Sequence, residues 1–183
     1  SQISLNPNKL VRFLKKRPEE FTKKDIIHFI EENEIKMLNF RYVGGDGKLK
    51  ILNFVINDRK HLEKILTTGE RVDGSSLFSY VDPSASDLYV VPRYRTAFVN
   101  PFSEIPALDL LCSYFDKNGK PLDIAPENIL KKAHTALKEK TGMSMEALGE
   151  LEFYVSSELD KICPITPQKG YHESHPFAKW EML

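Results

Sequence analysis

Two glutamates, Glu150 and Glu152, stand two residues apart in Gly149-Glu150-Leu151-Glu152-Phe153-Tyr154-Val155. On an extended strand the side chains alternate between faces, which puts both carboxylates on one side, about 6 to 7 Å apart, and Leu151 and Phe153 on the other. Two hard oxygen donors so spaced can each hold a divalent cation, and paired cations neutralise a phosphoryl group in transfer. The same alternation also describes an ordinary half-exposed strand with an acidic solvent face. A second group, Asp73-Gly74-Ser75-Ser76, combines a carboxylate, a flexible joint and two hydroxyls between apolar elements. It could hold a small cation by charge and hydrogen bonds and accept a proton from it, although Asp-Gly-Ser is also common turn chemistry. His172-Glu173-Ser174-His175 lacks the H-E-x-x-H spacing and an accompanying cysteine pair, so it reads as loop and not as a zinc site. No nucleophile elbow surrounds any serine, which removes support for a serine hydrolase.

The elements that must position these residues follow from periodicity. Asn6-Pro7 reads as a cap followed by a first-turn proline, and Leu10, Phe13 and Leu14 then share a helical face that Pro18 ends. Thr22 with Asp25 three residues on approximates a capping box for a second helix, whose stripe of Ile26, Ile27, Phe29 and Ile30 continues to Glu34. From Lys36 to Val43 the period becomes that of a strand. Gly44-Gly45-Asp46-Gly47 supplies turn residues and Lys48 to Ile56 is a second β-rich run, so the pair predicts a hairpin. These glycines are not a phosphate loop, because two strands flank them instead of a strand and a helix.

A short helix over Arg59 to Leu66, a loop from Gly69 to Leu77, and strand-like runs at 88–91, 95–99 and 108–115 follow, and together predict a small mixed sheet with a helix against it. Asp116 to Pro121 reads as a turn. Pro126 then opens a helix with Ile129, Leu130, Ala133, Ala136 and Leu137 on one side and lysines on the other, and Gly142 closes it. His28, His61 and His134 fall on predicted helices, as surface or partly packed residues. Leu148 to Val155 is the last expected strand.

The 183 residues carry 26 Lys+Arg against 26 Asp+Glu and are 41% hydrophobic, which favours collapse around a core over disorder. Zero formal charge gives no electrostatic footprint for nucleic acid or an anionic membrane. No apolar run reaches the roughly 20 residues of a membrane span. Cys112 and Cys163 read as reduced thiols, and a cytoplasmic location is expected. The chain begins at Ser1 and stops at Trp180-Glu181-Met182-Leu183 with no turn signal or cap, so it reads as an excerpt of a longer protein.

Taken in order, Val72-Asp73-Gly74-Ser75-Ser76, Ser86 to Pro92, Asn100-Pro101-Phe102, Asn118-Gly119-Lys120-Pro121, the lysine-rich helix and Gly149-Glu150-Leu151-Glu152-Phe153 resemble the glutamine synthetases. The resemblance runs from about Lys36 to Tyr154. It implies an α+β fold: an N-terminal helical segment over 1–35, a β-grasp domain with a mixed sheet and packed helix over 36–122, and the first helix and strand of a truncated catalytic domain over 123–183. It further implies a ring of subunits in which the Asp-Gly-Ser-Ser loop of one completes the active site of the next. The implied reaction consumes ATP: glutamate becomes an acyl phosphate, which ammonia attacks to give glutamine. By position Asp73 matches the aspartate that binds and deprotonates ammonium, Ser76 the supporting serine, and Glu150 and Glu152 two ligands of paired magnesium or manganese ions. The chain departs from the family at Arg93, where an aspartate is frequent, and at Ala125-Pro126-Glu127, in place of Asp-Pro-Arg; the tail Gly170-Tyr171 matches loosely. A divergent member could join glutamate to another amine. The remaining ligands and the nucleotide pocket fall outside these residues, so the excerpt alone is expected to be inactive. The contrasting expectation is a non-catalytic β-grasp interaction module, in which the glutamates are a solvated face and Asp73 a turn residue.

Overall fold

The structure is a computed structural model and describes residues 3–83 and 86–152. Met145 onward forms a unit separate from the preceding residues. Helix α1 (Lys9–Leu14) is capped by Asn8 and not by Asn6: the Asn8 side chain accepts the Leu10 N–H, and Asn6 Oδ1 accepts the Asn8 N–H at 2.9 Å. The helix ends at Lys15, which adopts a left-handed conformation, three residues before Pro18. Pro18 instead opens a single 3-10 turn. Helix α2 (Lys23–Glu32) has the capping box its sequence predicts, with Thr22 and Asp25 satisfying each other's main-chain N–H groups. Leu10 and Val11 of α1 join Ile26, Ile27, Phe29 and Ile30 of α2 in the core.

The expected hairpin forms from β1 (Met37–Val43) and β2 (Leu49–Val55), antiparallel from Met37 opposite Val55 to Val43 opposite Leu49. Gly47 takes the positive φ of the turn, and Asp46 Oδ1 accepts the Lys48 N–H. The chain then crosses through α3 (Arg59–Thr68) to β3 (Glu70–Asp73), a one-turn helix α4 (Gly74–Leu77), β4 (Asp87–Pro92), a two-residue β5 (Phe98–Val99) and β6 (Ala107–Asp116). The sheet order is β2-β1-β6-β4-β3, with β6 at the centre. The first half of β6 runs parallel to β1, and its second half pairs antiparallel with β4, while β5 lies along its opening residues.

Alternation along these strands sends Leu38, Phe40 and Tyr42, Leu88 and Val90, and Leu108, Leu110, Cys112 and Tyr114 into one layer with Leu62, Ile65 and Leu66 of α3. A mixed sheet curled over one crossing helix is the β-grasp arrangement that the sequence predicts. Alternation also sends Asn39, Arg41 and Asp109 out of that layer. Asp109, 1% exposed, accepts from Asn39 Nδ2 at 2.7 Å and Arg41 Nε at 2.8 Å, while Asn53 donates to Asn39 Oδ1 at 2.8 Å. Each buried polar atom there gains a partner, which is what permits a carboxylate in the sheet.

Three further expectations change. The segment expected as a loop from Gly69 to Leu77 is strand β3 running directly into α4, because Glu70–Asp73 finds a free edge on β4. The run 95–99 is mostly a 3-10 turn at Tyr94–Thr96, with only Phe98 and Val99 as strand. The strand expected over 148–155 is absent in its described part: residues 148–152 are irregular and exposed, and among the described residues no strand pairs with them to satisfy an extended backbone. Residues 153–155 lie outside the described residues. Helix α5 (Pro126–Thr141) forms with Gly142 as its left-handed cap, but Ile129 and Leu130 on its apolar side are exposed. Among the described residues no helix is long and apolar enough to cross a membrane.

Candidate functional site

The junction of β3 and α4 gathers Asp73, Ser75 and Ser76 of the group the sequence singles out. Pairing of β3 with β4 places Asp73 opposite Asp87, and Gly74 N–H donates to the Ser86 carbonyl at 2.7 Å. Gly74 is buried at this close approach; a Cβ there would meet the Leu88 side chain at 2.6 Å, so the turn admits no larger residue without displacing Leu88. The far end of α4 is anchored by buried Phe78, whose ring packs edge-on against Tyr114 with centroids 5.2 Å apart, and by the Gly45 N–H, which donates to Leu77 O at 2.9 Å. The hairpin turn and the central strand therefore both brace α4.

Asp73 is exposed and caps α4. Its Oδ1 accepts the Ser75 main-chain N–H at 3.0 Å and the Ser75 hydroxyl at 2.7 Å. Ser76 turns its hydroxyl to the Asp73 main-chain oxygen at 2.8 Å instead of to the carboxylate. The Ser75 hydroxyl and N–H, helped by the Ser86 hydroxyl and the Ser76 N–H, hold the Asp73 carboxyl below the ordinary aspartate range. Asp87 across the ladder is engaged by Arg71 at 3.2 Å, which offsets a second negative charge beside Asp73. The arrangement presents an ionised, oriented carboxylate at the surface, suited to a small cation with N–H groups.

Glu150 and Glu152 are exposed and lie in the unit that begins at Met145. Their hard oxygens suit magnesium or manganese, yet two carboxylates are fewer than the roughly six donors such an ion takes. Among the described residues no group of three or more His, Cys, Asp or Glu side chains gathers. His172, Glu173, Ser174, His175 and Cys163 lie outside the described residues. Cys112 is buried in the core, and burial pushes its thiol up, which keeps it protonated and unreactive.

Two further roles were not singled out by sequence. Ser75 carries both hydrogen bonds to the Asp73 carboxylate, and its position two residues after a capping Asp was the available signal. Glu127, in the first turn of α5, accepts the Tyr114 N–H at 2.8 Å and so ties the start of that helix to β6.

The glutamine synthetase β-grasp domain family matches residues 34–117. A glutamine synthetase of Clostridium saccharobutylicum is 31% identical over 162 residues, 86% of this chain and 36% of that protein. A 3-hydroxylaminophenol mutase of Cupriavidus pinatubonensis is 32% identical over 137 residues, 72% of this chain and 28% of that protein. Among solved structures, Plasmodium falciparum glutamine synthetase superposes with a TM-score of 0.57 at 19% identity, over 66% of this chain and 23% of that one. Apo GmaS superposes at 0.54 and 15% identity, over 61% and 25%. The chain thus spans about a third of the length of the curated relatives it matches. With the family match centred on the sheet that carries Asp73, the chain belongs to the glutamine synthetase family.

Proposed function

We propose that this chain is part of an ATP-dependent ligase that joins ammonia to the side-chain carboxylate of glutamate through a γ-glutamyl phosphate. On this reading residues 36–122 are the β-grasp domain, and residues 123–183 begin a catalytic domain whose remainder supplies the nucleotide and glutamate sites. Since the chain spans about a third of its relatives' length, it is inactive alone. The intact protein works as a cytoplasmic ring in which Asp73 of one subunit serves the site of the next. Glu150 and Glu152 are two of the carboxylate donors for magnesium or manganese. ATP, when bound, supplies the phosphoryl group that activates glutamate.

The observation that carries the reading is the Asp73 cap: an exposed carboxylate held ionised by Ser75, on the strand edge of a glutamine synthetase β-grasp domain. Its negative charge raises local ammonium occupancy. When the ammonium gives one proton to this carboxylate, the freed nitrogen lone pair attacks the acyl carbon, a C–N bond forms, the C–O bond to the phosphate breaks, and the leaving phosphate takes the second nitrogen proton. Ser76 fixes the main chain on which Asp73 sits.

The test is phosphate release from ATP by the intact protein with glutamate and magnesium, comparing ammonia with a panel of small amines. Ammonia-dependent release, reduced at least a hundredfold in Asp73→Ala, is expected. Release with another amine only would place the protein among γ-glutamyl ligases for that amine, a direction in which Arg93 and Glu127 already depart from the family pattern. No release with any amine would leave the β-grasp domain as an interaction module.

A further inference from the structure

We propose that Arg93 anchors a carboxylate that the intact protein brings from outside these 183 residues, which makes the end of β4 a docking surface. The inference rests on the reading that the chain is part of a larger protein, and not on the reaction assigned to it. Arg93 Nε is buried and finds no acceptor, the one side-chain nitrogen or oxygen so placed among the described residues. A guanidinium is all donor and always charged, so burying part of it without a partner is costly. The side chain as a whole is only half-buried, which leaves its outer nitrogens open to a partner. On the other side of Leu111 the same cost is offset: Arg41 gives its Nε to Asp109 at 2.8 Å.

The domain itself supplies no partner to Arg93. Its N–H donates to the Leu111 carbonyl at 2.9 Å, and its own carbonyl accepts the Thr96 N–H at 3.0 Å and the Thr96 hydroxyl at 2.6 Å. Thr96 Oγ1 in turn accepts the Leu111 N–H at 2.9 Å, and Tyr94 donates to the Leu66 carbonyl at 2.7 Å. The turn that follows Arg93 is therefore held on both sides and does not shift to bring it an acceptor. Nearby carboxylates are engaged. Asp109 serves Arg41, Asn39 and Asn100, and Glu127, whose charge reaches the Cys112 thiol as that of Arg93 does, accepts the Tyr114 N–H. A planar fork of donors on a fixed turn matches a carboxylate bidentately, and arginine is the residue that protein interfaces favour for this. The occupant is polypeptide because the chain spans about a third of the length of its curated relatives, so on the reading above most of the protein lies outside these residues.

Two measurements test it. In the 183-residue chain, Arg93→Met removes an unpaired charge, keeps an apolar stem and should raise the Tm by about 2 to 4 °C. In the intact protein the same substitution should lower the Tm by at least as much, because there it strands the carboxylate. Sulfate, a free oxyanion, should shift the Tm of wild-type and Arg93→Met chains equally. In intact Arg93→Lys protein, a zero-length carbodiimide should couple the amine at this position to an aspartate or glutamate outside residues 1–183 of the same subunit, read by peptide mass spectrometry. Coupling within those residues, no coupling, or a Tm change of the same sign in both forms would overturn the inference. So would a gain from sulfate that Arg93→Met abolishes, since that marks a free-anion site. Absence of phosphate release with every amine would sink the ligase reading without altering either Arg93 result.

Discussion

Asp109 shows how much a single side chain decides in this sheet. Its carboxylate is 1% exposed, yet Asn39 and Arg41 both donate to it and Asn100 approaches at 3.3 Å. Replacing it by alanine would leave the Asn39 amide and the partly buried Arg41 guanidinium without their acceptor, and should cost about 3 kcal/mol in urea denaturation. Adding Arg41→Leu should recover part of that loss, since removing both partners removes the unpaired charge. A larger loss in the double variant than in the single one would show that Arg41 stabilises the sheet by packing and not through Asp109. The Asp-Arg pairing was invisible in the sequence, because its members lie 68 residues apart and meet only when β1 and β6 run parallel.

At the scale of elements, Asp25 ties α2 to the segment that follows α1. Its carboxylate accepts from Lys16 Nζ at 2.7 Å and from the Thr22 N–H at 2.9 Å. Burial pushes its pKa up, but the hydrogen bonds from Lys16 and Thr22 outweigh burial and leave it below the ordinary value of 3.8. Because the folded pKa lies below the unfolded one, the resulting stabilisation is complete above the unfolded value and is lost as pH falls through the folded one. Wild type should therefore exceed Asp25→Asn in stability at pH 7 by about 1 kcal/mol, and the gap should close as acid is added. A gap that stayed constant to pH 2 would rule out the carboxylate as its source. The same helix was legible in sequence: a Thr-x-x-Asp box and a 3.6-residue apolar stripe are local signals, and local signals survive into the fold. The cap of α1 was misplaced by two residues because Asn6 and Asn8 are equally good caps in isolation. What selects Asn8 is its amide reaching the Ala97 carbonyl at 2.9 Å, a contact 89 residues away.

The whole molecule separates apolar residues that the β-grasp core buries from those it leaves open. Leu66 of α3 is 0% exposed and Leu130 of α5 is 67% exposed, although each sits on the apolar side of an amphipathic helix. Leu66→Ala should cost about 2 to 5 kcal/mol, while Leu130→Ala in this chain should stay within about 0.5 kcal/mol. Comparable losses at both, by thermal or urea unfolding, would mean that α5 packs on this side after all. The sequence by itself determined the hairpin, the crossing helix and the closing helix, because alternation, capping residues and turn glycines act within a few residues of themselves. Only the tertiary structure decided that Glu70–Asp73 is a strand, that the residues from 148 to 152 are not, and that Ser75 and not Ser76 holds the Asp73 carboxylate. The reason is the same in each case: a strand exists only where another edge satisfies its main chain, and a hydroxyl chooses its acceptor only once the turn has fixed which oxygen lies within reach.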